Sequence, residues 1–340
     1  MTGLIATRDD VIHAYRLLLG REPDAGGLAS YEALVTSREV EVAELSRMFF
    51  LSPEFKAKSG YLVPGGRDAG APEQKSRLVS AACTQRQVES ASFRYWAERM
   101  RKVVPGLLHR KNWEWCFIVQ ALFERGMLHP GRRGLGFAVG TEPLTSLFAG
   151  SGCEILATDL GVEEAGQQGW VDGGQHASGL DPLNTLRLCP PELFAANVRF
   201  RNVDMRNVPA DIAGYDFLWS SCAMEHLGSL QRGIDFVLDA MECLNPGGIA
   251  VHTTELNVES DIRTIETGGS VIYRKRDLVA LRDVLTARGH EVEPLDFDLG
   301  ETEADRFIDE PPYGGKAHLK LRIEGVASTS FGLIVRKGHA

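Results

Sequence analysis

The sequence predicts an α/β protein with a doubly wound sheet and a separate all-α domain at its N-terminus. Beyond Pro130, short apolar runs alternate with helical patterns, which is typical of a doubly wound sheet. Before Phe55, apolar residues recur at helical spacing. The chain has 340 residues, more than a single domain usually contains. We therefore expect two domains.

Composition and charge indicate the class of partner. Hydrophobic residues make up 44% of the chain and charged residues 24%, which is typical of a soluble globular protein. The formal net charge of −9 argues against nucleic acid, because binding to phosphates needs a concentrated cationic face. We expect a small neutral or cationic substrate instead.

The cysteines and apolar segments indicate the compartment. Six cysteines are scattered with no C-x-x-C pair, so we expect reduced core thiols and neither a zinc ribbon nor a disulfide framework. The N-terminal stretch "MTGLIATRDDVIHAY" lacks the pattern of a signal peptide, and no segment has the length and hydrophobicity of a membrane span. The sequence thus predicts a cytoplasmic protein without a membrane span.

We predict a small helical domain over residues 1–58 and a linker over 59–75. In the first region, "GREPDAGG" separates helical patterns and "SPEF" ends the last one. The stretches "YRLLLGREPDAGGLASYEAL" and "FFLSPEF" resemble a small bacterial helical domain of unknown function that is often appended to glycan-related and cell-surface proteins. The linker is rich in Gly, Pro and charge.

Residues 76–130 are expected to form a helical segment that covers the following domain. Phe93, Trp96 and Met100 lie on one helical stripe. Trp96, Trp113 and Trp115 are candidates for a substrate platform, but aromatic residues at helical spacing more often belong to a core, which we favour.

From residue 131 onward we predict the alternating strands and helices of the doubly wound sheet. The strands are expected in "GLGFAVG", "CEILATDL", "VRFRNVDM", "YDFLWSSC", "IAVHTTEL", "EVEPLDFDL", and a final pair, "HLKLRIEGV" and "TSFGLIVRK". The helices are expected in "TEPLTSLFAGSG", in "LQRGIDFVLDAMECL" and from Lys275 to Arg288.

Ligands of doubly wound sheets bind at the carboxyl ends of the strands, which locates the candidate site. The carboxyl end of the first strand and the turn after it contain three small residues, Gly136, Ala138 and Gly140. Small residues there let the backbone approach a ligand. Asp159 ends the second strand about twenty residues later, where a carboxylate can accept hydrogen bonds from ribose hydroxyls. Asp204 ends the third strand and can hold an adenine amino group.

This order resembles the class I S-adenosylmethionine-dependent methyltransferases over about residues 134–337. The stretches "YDFLWSSCAMEHL" and "LNPGGIAVHTT" are similar to the fourth strand and the turn into the fifth strand of that family. The resemblance implies a Rossmann-like sheet of seven strands with the last one antiparallel, and S-adenosylmethionine as cofactor. It implies cofactor contacts from the first loop and from residues at and after the next three strands. These residues are Asp159, Asp204, Met205, Ser221 and His226.

The first loop departs from the family pattern, since it lacks the usual acidic residue at the strand end and the third glycine. Glu142 is a candidate to bind the cofactor amine, with a helix-capping role as the alternative. A dehydrogenase also combines a Gly-rich turn with an acid. The missing G-x-x-G and the bulky "TEPL" argue against it, because a pyrophosphate needs an open helix N-terminus.

Histidines near the strand ends are candidates for the catalytic base. His252 is the first choice, with Glu255 and His318 as acceptor-binding or metal-binding partners. In a regular strand, residues three apart face opposite sides, so His252 and Glu255 converge only if the strand ends near Thr253. For His226 we favour a role in the cofactor wall or as a cap over one in catalysis.

Two further features remain open in the sequence. The side chains of His252, Glu255 and His318, together with Asp309, have the ligand chemistry of a divalent metal site. No tight spacing motif supports such a site, and we assign no metal ligand. The loop 166–183 is long for this fold, so Trp170, Gln175 and His176 are candidates to close over a ligand.

The sequence therefore predicts an S-adenosylmethionine-dependent methyltransferase. We expect O-methylation of a sugar or glycan-related small molecule by in-line transfer. The alternatives are a natural-product methyltransferase and a catalytically inactive methyltransferase fold that acts as a binding or scaffold module.

Overall fold

The computed structural model describes residues 4–38, 40–52, 54–55, 77–167, 170, 173–315 and 317–339. The chain divides into two units, Met1–Asp68 and Ala69–Ala340. The predicted linker 59–75 lies outside the described residues.

The first unit contains a core between three helices. Thr7 caps the first helix, because its hydroxyl accepts a hydrogen bond from the Asp10 amide, and Gly20 ends that helix with a left-handed φ of 62°. Inside, the Phe49 ring stacks on Tyr31 at 4.7 Å and meets the edge of Tyr15 at 5.0 Å. The helices are α1 (Arg8–Leu19), α2 (Ala25–Arg38) and α3 (Val42–Leu51).

The second unit is a sheet with helices on both faces. Its helices are α4 (Gln85–Val88), α5 (Ala91–Met100), α6 (Arg110–Glu124), α7 (Leu144–Gly150), α8 (Val162–Gln167), α9 (Pro191–Asn197), α10 (Leu230–Ala240), α11 (Lys275–Ala287) and α12 (Glu303–Arg306). Its strands are β1 (Ser80–Ala82), β2 (Arg133–Phe137), β3 (Glu154–Asp159), β4 (Val198–Asn202), β5 (Tyr215–Ser221), β6 (Leu244–Asn257), β7 (Glu291–Val292), β8 (Leu295–Asp296), β9 (Ile308–Asp309), β10 (Lys320–Ile323) and β11 (Val326–Arg336).

The strand order confirms the predicted doubly wound sheet. The order is β4-β3-β2-β5-β6-β11, and all neighbours from β4 to β6 are parallel. The last strand, β11, runs antiparallel to β6 from the pair of Arg336 and Ile249 to the pair of Ser328 and Asn257. The chain direction across the sheet reverses between β2 and β5, so the carboxyl ends beside this switch point form one edge.

The segment 76–130 contains a strand as well as helices. Strand β1 is buried and pairs antiparallel with β11, with Ala81 opposite Gly332. Three small residues are too few to show a period of two, which is why the helical pattern dominates this region of the sequence.

Two of the three tryptophans in this segment belong to the core, as we favoured. Trp96 and Trp113 are fully buried. Their indole N–H groups donate to Gln120 at 2.6 Å and to Gln87 at 2.8 Å. Trp115 instead lines the main cavity.

We expect Gly332→Ala to lower the free energy of unfolding by about 1–3 kcal/mol, because overpacking strains a close-packed core. A Cβ at Gly332 would lie 2.2 Å from the ring of Phe117 on α6. The matched control is Gly166→Ala, since nothing lies within 4 Å of a Cβ there. Urea denaturation measures both variants. Equal stability of Gly332→Ala and wild type would contradict the packing described here.

Candidate active site

A cavity of about 520 Å³ lies at the carboxyl ends of β2, β3, β4 and β5. Most of the site residues predicted from the sequence line it: Ala138, Gly140, Glu142, Asp159, Asp204, Met205, Ser221, His226 and Glu255. The candidate lid residues Trp170, Gln175 and His176 line it as well. Gly136, His252 and His318 are not in the lining.

The two predicted glycines have packing roles. A Cβ at Gly136 would lie 2.4 Å from the ring of Trp219, so the absence of a side chain at this position leaves room for the indole. Gly140 has a φ of 51°, and a Cβ there would lie 2.3 Å from the carbonyl oxygen of Gln175. Ala138 also lines the cavity and, although it is not a glycine, has a left-handed φ of 47°. Such a φ costs a non-glycine residue on the order of 1–2 kcal/mol.

Asp159 joins three segments of backbone around the cavity. Its Oδ2 accepts hydrogen bonds from the amides of Gly140 and Ala177, both at 3.0 Å, and its Oδ1 accepts one from Leu160 at 2.8 Å. Burial raises the pKa of Asp159. A carboxylate oxygen has two lone pairs, so Oδ1 can accept one further hydrogen bond from a ligand hydroxyl.

Glu142 is a buried carboxyl group at the wall of the cavity. The indole N–H of Trp219 donates to its Oε1 at 2.5 Å. Burial raises the pKa of Glu142 to about 8. The helix-capping alternative is not observed, because Pro143 occupies the N-cap of α7 and no side-chain hydrogen bond caps that helix.

Asp204 and Met205 form another part of the wall, after β4. Asp204 accepts hydrogen bonds from the Arg206 amide at 2.9 Å and from the Arg206 guanidinium, whose Nη2 lies 2.8 Å from Oδ2. Partial burial opposes ionisation, but the hydrogen bonds from Arg206 lower the pKa of Asp204. Met205 is buried and supplies apolar surface beside it.

His226 is held in the wall on the other side. Its Nδ1 lies 2.9 Å from the carbonyl oxygen of Gly269, and its ring meets that of Trp170 edge to face at 4.6 Å. His176 approaches from the loop after α8, with Nε2 2.7 Å from the Leu160 carbonyl oxygen. These contacts favour the wall role that the sequence suggested for His226.

An ionic cluster at the start of α6 was only partly predicted from the sequence. It joins the predicted Glu255 to Arg110, Lys111 and Glu114, which sequence reasoning missed. Arg110 forms a close ion pair with Glu255, and its Nη1 lies 3.5 Å from Glu114 Oε1. Lys111 Nζ lies 3.1 Å from Glu114 Oε2. The signal for it was three charged residues in "HRKNWEW", at the start of an otherwise apolar helix.

Glu225 is another residue of the cavity lining that sequence reasoning missed. It lies in the short 3-10 turn Met224–His226 after β5 and is fully buried. Its Oε2 accepts a hydrogen bond from the Thr254 hydroxyl at 3.0 Å. Its Oε1 has no hydrogen-bond partner among the described residues. Burial raises the pKa of Glu225.

The structure places His252 in the core and not in the cavity, which corrects the choice of base. Strand β6 continues past Thr253 to Asn257, so the condition under which His252 and Glu255 would converge is not met. His252 is fully buried, with Nδ1 2.8 Å from Ser220 Oγ and its ring beside Phe236. Burial lowers the pKa of His252 to about 3.

The candidate metal set of His252, Glu255 and His318, to which no metal was assigned, is not assembled. His318 lies outside the cavity lining, with Nδ1 2.6 Å from Asp309 Oδ2 and its ring stacked on His109 at 4.6 Å. His252 lies in the core. The structure therefore does not bring His252, Glu255 and His318 together.

The described residues contain one group of three possible metal ligands, Cys222, Glu225 and Glu255, whose ligand atoms lie within 4.8 Å of one another. The guanidinium of Arg110 is next to this group, 3.9 Å from Cys222 Sγ. This fixed positive charge disfavours a divalent cation at that position.

Comparisons with protein-family models and with curated proteins found no match. Among solved structures, the chain is similar to the complex of DhpI with SAH, at 16% identity and a TM-score of 0.36 over 76% of this chain and 100% of that one. It is similar to the [4+2]-cyclase SpnF at 17% identity and a TM-score of 0.42, over 78% and 100%. The CcbJ methyltransferase from Streptomyces caelestis matches at 15% identity and a TM-score of 0.37, over 66% and 94%.

No helix in the described part of the chain combines the length and the hydrophobicity needed to cross a bilayer.

We expect Glu142→Gln to be more stable than wild type above about pH 7. Wild-type Glu142 has a folded-state pKa of about 8, above its unfolded value, so its contribution to stability is present at low pH and is lost as the pH rises towards 8. Between about pH 5 and 8 this loss is roughly 2–4 kcal/mol. The charged groups that act on this carboxyl are Lys102, Lys111 and Asp159.

The melting temperature as a function of pH measures this difference between variant and wild type. Glutamine keeps the acceptor for Trp219, so the comparison isolates the charge. Glu98→Gln, at an exposed position on α5, is the control. Parallel pH profiles for Glu142→Gln and wild type would show that the carboxyl titrates normally.

Proposed function

We propose that this chain binds S-adenosylmethionine in the main cavity and transfers its methyl group to a small molecule. The observation that carries the proposal is the position of the cavity at the carboxyl ends of β2 to β5, with a carboxylate after β3 and another after β4. Its volume of about 520 Å³ lies in the range of small-molecule sites.

The polar groups of the wall fit this cofactor. Glu142 offers a carboxylate to the ammonium of the methionine part, and Ala138 lets that part pass the first loop. Asp159 has the remaining acceptor capacity on Oδ1 for a ribose hydroxyl. Asp204 and Met205 supply an acceptor and an apolar surface for the adenine, and the turn with His226 closes the opposite side.

The charge of the first loop supports this cofactor over a dinucleotide. A pyrophosphate is bound by the free amides and positive end of a helix N-terminus. Here α7 has only seven residues, Pro143 is its N-cap, and Glu142 is the residue that precedes that cap. A phosphate would meet the carboxyl of Glu142, whereas an ammonium group would be attracted to it.

We further propose O-methylation of a sugar or glycan-related molecule. The cofactor supplies an electrophilic methyl group on a sulfonium, which is a good leaving group, so the protein must align the acceptor and remove its proton. The N-terminal stretches that resemble a glycan-associated domain support this acceptor class, by analogy. A natural-product acceptor is the second candidate. Mass spectrometry for the gain of one CH2 group on members of both classes distinguishes them.

Calorimetric titration with S-adenosylhomocysteine tests the proposal. We expect the wild type to bind, and Asp204→Ala to bind roughly 10–100-fold more weakly, since it loses a hydrogen bond to a charged acceptor. Asp235→Ala, at an exposed position on α10, is the matched control and should bind like wild type. Failure of the wild type to bind would favour the alternative of an inactive scaffold module.

A further inference from the structure

Glu225 is unusual among the carboxyl groups of the second unit. In the described part of the chain, it is the only carboxylate with a buried oxygen that lacks a hydrogen-bond partner. It also has no ion-pair partner within 4 Å among those residues, whereas Glu255 is paired with Arg110. A buried polar atom without a partner is costly, and such groups are concentrated at functional sites.

The neighbours of Glu225 compensate its charge only in part. The groups whose charges act on it are His226, Glu255 and Lys111, and Arg110 is also close enough to interact with it. Arg110 and Lys111 are already paired, with Glu255 and Glu114, and the charge of Glu255 opposes ionisation of Glu225. The unpartnered oxygen of Glu225 therefore has unused hydrogen-bonding capacity beside the cavity.

The position of Glu225 is that of a group facing an acceptor. It lies in the turn after β5 and contributes to the cavity wall between Cys222 and His226. Arg110 and Lys111 on α6 and Glu255 on β6 also line the cavity, and an oxygen of Glu255 lies within 4.8 Å of one of Glu225. These residues extend the cavity beyond the part assigned to the cofactor.

We propose that Glu225 accepts the proton of the acceptor hydroxyl during methyl transfer. The inference rests on the proposed function and gives Glu225 the role that the sequence suggested for His252. The acceptor oxygen forms a bond to the methyl carbon while the bond from that carbon to sulfur breaks. The sulfur keeps the electron pair and becomes a neutral thioether, and the hydroxyl proton moves to the Glu225 carboxylate.

Burial raises the pKa of Glu225, which makes its carboxylate a stronger base than a solvated one. Hydrogen bonding by Thr254 occupies only Oε2, so the group is held in place without losing its second oxygen. His252 has no comparable access, since it does not line the cavity.

Proton release on cofactor binding tests whether Glu225 lies near the sulfonium. The experiment does not require that the acceptor be known. Titrations of S-adenosylmethionine and S-adenosylhomocysteine in buffers of different ionisation enthalpy count the protons released. The sulfonium of the first ligand lowers the pKa of a nearby carboxyl, and the neutral thioether of the second does not. We expect more protons to be released with S-adenosylmethionine, and this difference to disappear in Glu225→Gln.

Glu142→Gln is the matched control. Glu142 is assigned to the ammonium group of the cofactor, and both ligands carry the same ammonium and carboxylate. We expect it to change proton release with both ligands equally and to keep the difference between them. A difference that persists in Glu225→Gln, or is absent in the wild type, would overturn the inference. Failure of the wild type to bind either ligand would instead overturn the proposed function.

Stability gives a second readout, which reports whether ionisation of the buried Glu225 carboxyl is costly. The raised folded-state pKa means that wild type loses stability as the pH rises, so Glu225→Gln should melt at a higher temperature than wild type at alkaline pH. A lower melting temperature at every pH would identify Glu225 as a structural residue. Tight binding of Zn²⁺ alone by the wild type, lost in Glu225→Gln, would identify it as a metal ligand and would also overturn the inference.

Discussion

The ion pair between Arg110 and Glu255 determines the form of the cavity. Through it, and through Glu114, the start of α6 is joined to the sheet. The hydroxyls of Ser328 and Ser330 on β11 donate to Glu255 and Glu114, and that of Ser221 on β5 donates to Glu114. Removing one partner of a buried pair leaves an uncompensated charge, which costs about 3–5 kcal/mol. The position of α6 against the strand ends is therefore set by charge as well as by packing.

Two buried carboxyl groups of the cavity, Glu142 and Glu225, are not paired within this cluster. Arg110 and Lys111 are matched by Glu255 and Glu114, so the cluster is balanced within itself. Glu142 and Glu225 lie outside this balance, one in the first loop and one after β5. Burial raises the pKa of both. A ligand that carries positive charge would relieve the cost of ionising them, which suits a cofactor with an ammonium and a sulfonium better than one with phosphates.

The sequence predicts local features of this fold well and long-range ones poorly. Helix α11 was expected from Lys275 to Arg288 and spans Lys275–Ala287, because its apolar spacing is regular. Asp159 was recognised as a candidate site residue from its place at the end of a strand. The partners that fix the roles of Gly136 and Gly140 are Trp219 and Gln175, which lie far along the chain and have no local signal. Arg110 and Glu255 are separated by 145 positions, so neither could be recognised as part of a cluster.

The choice between His252 and Glu225 follows from the length of one strand. An ending near Thr253 would have turned His252 towards the ligand, but β6 keeps its pairing with β11 as far as Asn257. The strict alternation of a strand then sends His252 to the face of Phe236 and Glu255 to the face of Arg110. His252 therefore lies on the core face and outside the cavity lining. Glu225 lines the cavity instead, because a strand that ends at the switch point directs the turn after it towards the cavity.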